Sequence, residues 1–315
     1  MLNAAMYERT SILLKSEGIE KLHALNVFLA GVGGVGGHCA EALVRAGVGK
    51  ITIVDGDVVS STNKNRQLIA LDTNIGKSKV SEMAQRIQQI SSHCVVTAID
   101  AFLLPEDMYD ILTRQRYNYV VDCIDSLECK ISLMEAAAKL GINTFSSGGA
   151  GGRLDPSKVK TGDLFETMGD PLTARCRHEL KKRGVGPGKI QMVFSDEVPI
   201  PPLEPQRQES GGRDRAMNGT ISYMPSLFGL FLSSLVIRHA MNPVAANKKM
   251  ARHGKKLAKA AEEADRKVQE KLQRRQQVLK ADGEETDQAA RAQVARGDHD
   301  SAESPDTKVR RCEEE

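Results

Sequence analysis

Six residues constrain this chain more than any others: Gly31-Val32-Gly33-Gly34-Val35-Gly36. They follow a compact apolar run, Val27–Ala30, and lead into Cys39–Arg45, which has the small residues of a helix packed closely on its inner side. Glycines at this spacing let the backbone turn tightly and approach phosphate oxygens, whose charge is met by the helix N-terminus. Downstream, residues 51–55 read as a second buried strand, and 95–100, 119–125 and 142–147 as further strands. Residues 78–90, 106–114 and 130–140 read as helices between them, and residues 1–25 as one or two short helices. Strands alternating with helices predict an α/β fold, a Rossmann-like, doubly wound and mainly parallel sheet with helices on both faces. Right-handed crossovers then place ligands at the carboxyl ends of the strands.

Beyond residue 148 the pattern loosens. Glycine clusters, Arg183–Lys189 (RGVGPGK) and the proline-rich stretch 198–205 predict loops and short strands, with disorder over 203–218. Met224–Ile237 is the longest apolar stretch, 14 residues interrupted by proline, glycine and three serines. That is short for a membrane span, so a core helix over 224–241 is expected. After Pro243 the composition changes. Residues 244–280 hold 12 Lys and Arg against 4 Asp and Glu, a net of +8, and residues 281–315 hold 5 against 11, a net of −6. The expected organisation is a nucleotide domain over 1–243, a basic helical segment over 244–280 and an acidic, disordered tail over 281–315.

A net charge of +3 over 315 residues excludes a globally basic nucleic-acid binder, so any basic surface is local. The six cysteines, at 39, 94, 123, 129, 176 and 312, form no CxxC pair, which argues against structural zinc. Several lie in apolar runs, as reduced intracellular thiols do. The N-terminus lacks the charged, apolar and small-residue succession of a secretory signal.

Asp55 ends the second strand 19 residues after Gly36, where an acid binds ribose hydroxyls. Alone, this would suggest a dinucleotide. Directly beyond it, however, the chain places Asp57, Asn63, Arg66 and then Lys79, and two cations suit the β- and γ-phosphates of a triphosphate. Asp122 and Asp125 close another strand with two carboxylates, hard oxygen ligands for Mg²⁺ beside those phosphates.

GVGGVG, VDGDVVSSTNKNRQ, GKSK and VDCIDS in this order resemble the ubiquitin-activating and related ThiF-like adenylating enzymes, in element order over roughly residues 5–240. Residues 62–79, IDSLECK (124–130), SSGGAGGRLDPSKVKTGDLFET (146–167), DPL (170–172) and VFSDE (193–197) resemble one branch, the tRNA threonylcarbamoyladenosine dehydratases. The resemblance implies ATP and Mg²⁺ as cofactors and a tRNA bearing threonylcarbamoyladenosine beside the anticodon as substrate. The threonyl carboxylate is adenylated, and loss of the activated group closes a cyclic form of the base. It further implies that Gly31, Gly33, Gly34 and Gly36 shape the phosphate turn and that Asp55 binds ribose. Asp57 and Asn63 line the nucleotide site, Arg66 and Lys79 neutralise phosphates, and Asp125 ligates Mg²⁺.

A homodimer is expected from the resemblance, with a sulfur-relay protein as a further partner to consider. Cytoplasmic localisation is the first expectation and the mitochondrial outer membrane the alternative. Superfamily members often present an N-terminal arginine to a neighbouring subunit's phosphates. Ile12 stands at the matching place here, and Arg9 is the nearest candidate. Cys123, between the two strand-end acids, reads as a buried small residue rather than a nucleophile. The nearest rival is an adenylyltransferase for a ubiquitin-like or sulfur-carrier protein, which would normally carry two CxxC pairs and a catalytic cysteine. An NAD-dependent oxidoreductase is supported only by the glycine turn and Asp55.

Overall fold

The computed structural model describes residues 4–206 and 215–241. Strands β1 (Asn26–Ala30), β2 (Lys50–Val54), β3 (Val95–Ile99), β4 (Tyr119–Asp122), β5 (Asn143–Ser147), β6 (Val159–Asp163) and β7 (Ile190–Ser195) form one sheet. Their order is β3-β2-β1-β4-β5-β7-β6. All neighbours are parallel except β6, which runs antiparallel along β7 at the edge. The chain winds outward from β1 in one direction and from β4 in the other, so a crevice opens at the carboxyl ends of these two strands.

Side chains alternate across the sheet, and each face has its own cover. Val27 and Leu29 of β1 look towards α2 (Gly36–Ala46), α3 (Lys79–Ile90) and α7 (Tyr223–Met241), with Leu43, Met83 and Phe228 in the same buried cluster. Phe28 and Val120 look the other way, towards α4 (Met108–Thr113) and α5 (Leu127–Lys139). Ile131 and Met134 continue that layer onto Cys176 and Leu180 of α6 (Pro171–Lys182). The first helix, α1 (Ala4–His23), is broken at Lys15, where φ is 61°, into the two short helices that its sequence suggests.

The region beyond 148 departs from the loop-rich expectation. It contributes β6, α6 and β7, two strands of the main sheet and a covering helix. In α6 only Thr173, Cys176 and Leu180 are buried, so its apolar periodicity is thin. The Asp170 carboxylate starts the helix instead, accepting the Leu172 and Thr173 N–H groups at 2.9 and 3.1 Å. β7 was hidden in the sequence because its run lies between two glycine- and proline-rich stretches. A small hairpin pairs β8 (Leu203–Gln206) with β9 (Arg215–Met217). Residues 207–214 of the expected disordered stretch, and both charged segments over 244–315, lie outside the described residues.

With 19 residues and a mean hydropathy of 1.3, α7 is long and apolar enough to cross a membrane. One side of it packs in the core: Met224, Phe228, Leu232 and Val236 are all fully buried. Gly229 on the same side permits the close approach to α2. A Cβ there would overlap the Val35 carbonyl oxygen and lie 3.0 Å from the Cys39 nitrogen.

A buried charge network ties β4, β5 and α5 together. Lys130 Nζ lies 2.6 Å from Asp122 Oδ2 and 3.3 Å from Ser146 Oγ, and the Ser146 hydroxyl donates to the same carboxylate oxygen at 2.6 Å. The remaining oxygen, Asp122 Oδ1, accepts the Ile124 N–H at 3.0 Å. That bond turns the chain, so β4 ends at Asp122 rather than running to residue 125.

Two stability predictions follow from these contacts. Alanine in place of glycine inside a helix normally gains about 1 kcal/mol, yet Gly229→Ala is expected to lose about 1–3 kcal/mol by overpacking. A urea midpoint at or above the parent's would contradict the close-approach argument. Lys130→Met strands the Asp122 carboxylate in the core and is expected to cost about 3–5 kcal/mol. Replacing both partners, Lys130→Met with Asp122→Leu, should recover part of that loss in the same unfolding assay.

Candidate active site

The site grows out of the glycine turn. Gly31 has a φ of +88°, and a Cβ on it would lie 2.8 Å from the Cys123 carbonyl oxygen. A Cβ on Gly36 would overlap the Gly31 carbonyl oxygen, and one on Gly34 would meet Pro225 Cβ at 3.0 Å and Arg66 Cγ at 3.5 Å. The protein itself forbids side chains at these three positions. Gly33 differs. A Cβ there would have one neighbour within 4 Å, Gln67 Nε2 at 3.7 Å, so its surface is an open cradle. Among the described residues, the N–H groups of Gly33, Gly34 and Val35 have no acceptor, and they precede the first turn of α2.

Asp55 lies just beyond β2, and its carboxylate fastens the turn. Oδ2 accepts the Val32 N–H at 2.7 Å and Oδ1 accepts the Asp57 N–H at 2.9 Å. The exposed Asp57 carboxylate in turn holds Lys79 Nζ at 2.7 Å. Lys79 opens α3 and is only 4% exposed, so its ammonium is fixed rather than free to wander. Ladder-like bonds keep the two segments together: Val59 N–H donates to Lys77, Gly76 N–H to Val59 and Lys79 N–H to Asp57.

Arg66 packs on Gly34 from the opposite side. Its guanidinium donates to the Thr62 carbonyl and to Asn65 Oδ1, both at 2.9 Å, which orients it from within its own loop. Asn63 does local work, its Oδ1 capping the Ser60 N–H at 3.0 Å. Asp125 stands exposed three residues after Asp122. Asp122 itself is completely buried and fully engaged by Lys130, Ser146 and Ile124. This corrects the pairing of Asp122 with Asp125 as joint Mg²⁺ ligands: Asp122 has no access to an ion in the crevice.

The turn therefore gathers Asp55, Asp57 and Lys79 on one side and Arg66 on the other, with the chain to Asp125 beneath it. Arg9 lies elsewhere, exposed on the first half of α1. Burial pushes the Cys123 thiol well above its usual range, with the Cys39 and Asp122 charges adding to the effect. A protonated thiol there is no nucleophile.

Two residues join the site that motif reasoning left without a role. Gln67 is 8% exposed, its Oε1 is buried without a partner, and its Nε2 faces the Gly33 cradle. A buried amide oxygen left unpaired is rare enough to mark an incomplete site. Phe102 lies over Gly56, beside Asp55, and its ring remains 70% exposed. The glutamine could have been suspected from its place next to Arg66; nothing local in the sequence marks the phenylalanine.

These features fit a nucleoside triphosphate. An open backbone cradle with free N–H groups meets phosphate oxygens, two oriented cations balance their charge, and an exposed apolar ring lies at the ribose end. Comparison with known proteins agrees. The ThiF family profile matches residues 7–276. A tRNA threonylcarbamoyladenosine dehydratase of Bacillus subtilis is 36% identical over 244 residues, covering 76% of this chain and 95% of its own. The Escherichia coli enzyme of that name is 37% identical over 217 residues, covering 67% and 78%. A crystal structure of the E. coli protein in complex with ATP superposes with a TM-score of 0.69 at 32% identity, over 77% of this chain and 96% of that one. The glycine turn and its surrounding charges thus lie on the frame of these enzymes, and the chain belongs to the ThiF family, in the branch of the tRNA threonylcarbamoyladenosine dehydratases.

Proposed function

We propose that this chain dehydrates threonylcarbamoyladenosine in tRNA to its cyclic form, using ATP to activate the threonyl carboxylate. The observation that carries the reading is the cradle over Gly33, bounded by Gln67 and flanked by Arg66, on a chain that aligns with nearly the whole length of a named dehydratase.

In this reading the N–H groups of Gly33, Gly34 and Val35 and the Gln67 amide bind phosphate oxygens. Asp55 keeps the turn in place while its remaining lone pairs accept from ribose hydroxyls, and Phe102 supplies an apolar platform for the base. Arg66 and Lys79 stabilise the negative charge that builds as the substrate carboxylate attacks the α-phosphate and pyrophosphate leaves. Attack by the substrate's own carbamoyl group on the activated carboxyl then closes the ring and releases AMP. Overall one water is lost, and no residue of the protein becomes covalently attached. Holding the two ends of one side chain together makes the second step effectively unimolecular.

Asp125 is the residue that would hold Mg²⁺. Among the described residues no group of three or more His, Cys, Asp or Glu side chains lies together to cage a metal. One exposed carboxylate with phosphate and water oxygens is a usual way to hold this ion, which would neutralise charge on the leaving pyrophosphate.

The direct test incubates the full chain with ATP and tRNA bearing threonylcarbamoyladenosine. AMP and a nucleoside lighter by one water are expected together, and AMP without the lighter nucleoside would overturn the substrate assignment. Arg66→Ala and Lys79→Ala should each slow AMP formation about 10²–10³-fold, the usual cost of removing one preorganised charge. Neither should change adenosine affinity, and a comparable loss there would refute the phosphate roles. Asp125→Ala is expected to abolish turnover while leaving tRNA affinity and the urea midpoint unchanged. Turnover at the parent rate would remove Asp125 from the metal site.

A further inference from the structure

Away from the crevice between β1 and β4, α6 presents a face that the nucleotide chemistry does not use. Between residues 171 and 189 the chain carries six Lys and Arg against a single acid, Glu179. Two of the six are spoken for inside the fold. Arg177 donates to the Thr167 carbonyl at 2.6 Å, and Arg183 bridges Glu128 and Glu135 at 2.7 and 3.0 Å. Lys182 holds Glu179 at 2.9 Å, which neutralises the lone acid. Arg175, Lys181 and Lys189 are exposed and have no acidic partner among the described residues.

The helix sorts these residues by face. Thr173, Cys176 and Leu180 point into the core, while Arg175, His178, Lys181 and Lys182 share the opposite, exposed side. From Arg175 to Lys182 is two turns, about 10 Å at the usual rise. The strip begins at the reactive end of the molecule, because the Asp170 carboxylate that starts α6 also accepts the Gly149 N–H, just beyond the carboxyl end of β5.

At that same end lies a surface cavity of about 420 Å³ between the first turns of α5 and α6. Leu127 and Ala174 give it an apolar floor, and Arg175, His178 and Glu179 its polar rim. Leu127 is two residues past Asp125, so the cavity adjoins the loop that carries the candidate metal ligand. An apolar floor with a guanidinium and an imidazole at the rim suits an unstacked nucleobase: single-stranded RNA is recognised by bases splayed onto His rings and Arg planes. Cations trailing away from it suit the phosphates of the strand that follows.

We propose that this face of α6 docks the anticodon arm of the substrate tRNA. A loop nucleotide neighbouring the modified adenosine enters the cavity over Leu127 and Ala174, and stem phosphates run along Arg175, Lys181 and Lys182. The inference rests on the functional reading above for the identity of the RNA, and its test separates the two.

The experiment measures steady-state kinetics of the full chain over a range of salt, together with direct binding of an anticodon stem-loop RNA. Arg175→Glu and Lys181→Glu, alone and combined, are compared with Lys50→Glu, an exposed lysine at the opposite end of the sheet. Each α6 variant should raise the tRNA KM and the stem-loop Kd about tenfold, and lower the salt slope by about one per lost phosphate contact. kcat at saturating tRNA, the KM for ATP and the urea midpoint should stay at parent values. Arg175→Lys, which keeps the charge but not the guanidinium plane, should restore the salt slope and only part of the affinity. Lys50→Glu should behave as the parent. If the combined variant keeps the parent's KM, Kd and salt slope, the docking face is wrong while the dehydratase reading stands. If the parent forms no cyclic product, the functional reading fails, and the stem-loop Kd values still decide whether α6 binds RNA.

Discussion

No atom larger than hydrogen fits on the α-carbon of Gly36, because the Gly31 carbonyl oxygen occupies that space. This steric fact sets the rest of the molecule. It brings the start of α2 back onto the end of β1 within six residues, so that the N–H groups of Gly33, Gly34 and Val35, left without acceptors among the described residues, lie at the carboxyl end of β1. The same closeness presses Gly31 against the Cys123 carbonyl, which locks the turn to the end of β4, and Gly34 against Arg66. Asp55 then pins Val32 from the β2 side. Three separate chain segments that carry acid and base are thus indexed to one short turn. Tightness at Gly31, Gly34 and Gly36 comes with openness at Gly33, where the protein supplies no filling atom of its own.

The two strand-end acids show how position decides chemistry for identical side chains. Asp122 and Asp125 are three residues apart, yet one is wholly buried and the other exposed. Asp122 is bound by an ammonium, a hydroxyl and a backbone N–H, so every strong hydrogen-bonding direction is used. A buried pair of this kind is poor evidence of net stability, since well-packed apolar groups often do as well. What it supplies is direction. Its bond to Ile124 ends β4 and turns the next residues outward, so Asp125 is exposed. The sequence alone could not separate these roles, because Lys130 lies a full eight residues on, inside a helix whose other residues give no sign of a buried charge.

Where the backbone alternates cleanly, the fold was legible from residue types. Val27–Ala30, 51–55, 95–100 and 142–147 became β1, β2, β3 and β5 with boundaries off by a residue or so. β1 and β2 are continuous apolar runs because parallel strands there are buried on both faces, whereas β3 at the edge is largely exposed. The turn and its charges were legible for a related reason: glycine and cation spacing near a strand end reflects local geometry. α6 and β7 were not, since Thr173, Cys176 and Leu180 are too few apolar residues to announce a helix. The glycines around 184–188 also read as loop, although they only bound a buried strand. Gln67 and Phe102 were invisible for a different reason. Their significance lies in what touches them across the crevice, and Phe102, in the loop after β3, meets Gly56 from 46 residues away in sequence.

The arrangement of thiols narrows the chemistry further. Burial raises Cys94 to about 11 and Cys176 to about 12, and lifts Cys39 and Cys123 well above the usual thiol range. At neutral pH these four are protonated and hydrophobic, and they fill space between helix and sheet. Adenylating enzymes that pass their product to a protein sulfur need a thiolate near the activated carboxyl, and a thiol desolvated this strongly cannot serve. The crevice offers fixed positive charge, backbone donors and the exposed acids Asp57 and Asp125 instead. Such a site lowers the barrier for a reaction whose nucleophiles both belong to the substrate, because its dipoles are already aimed before charge develops. A substrate that carries its own carboxylate and its own ring-closing group is what this constellation is suited to.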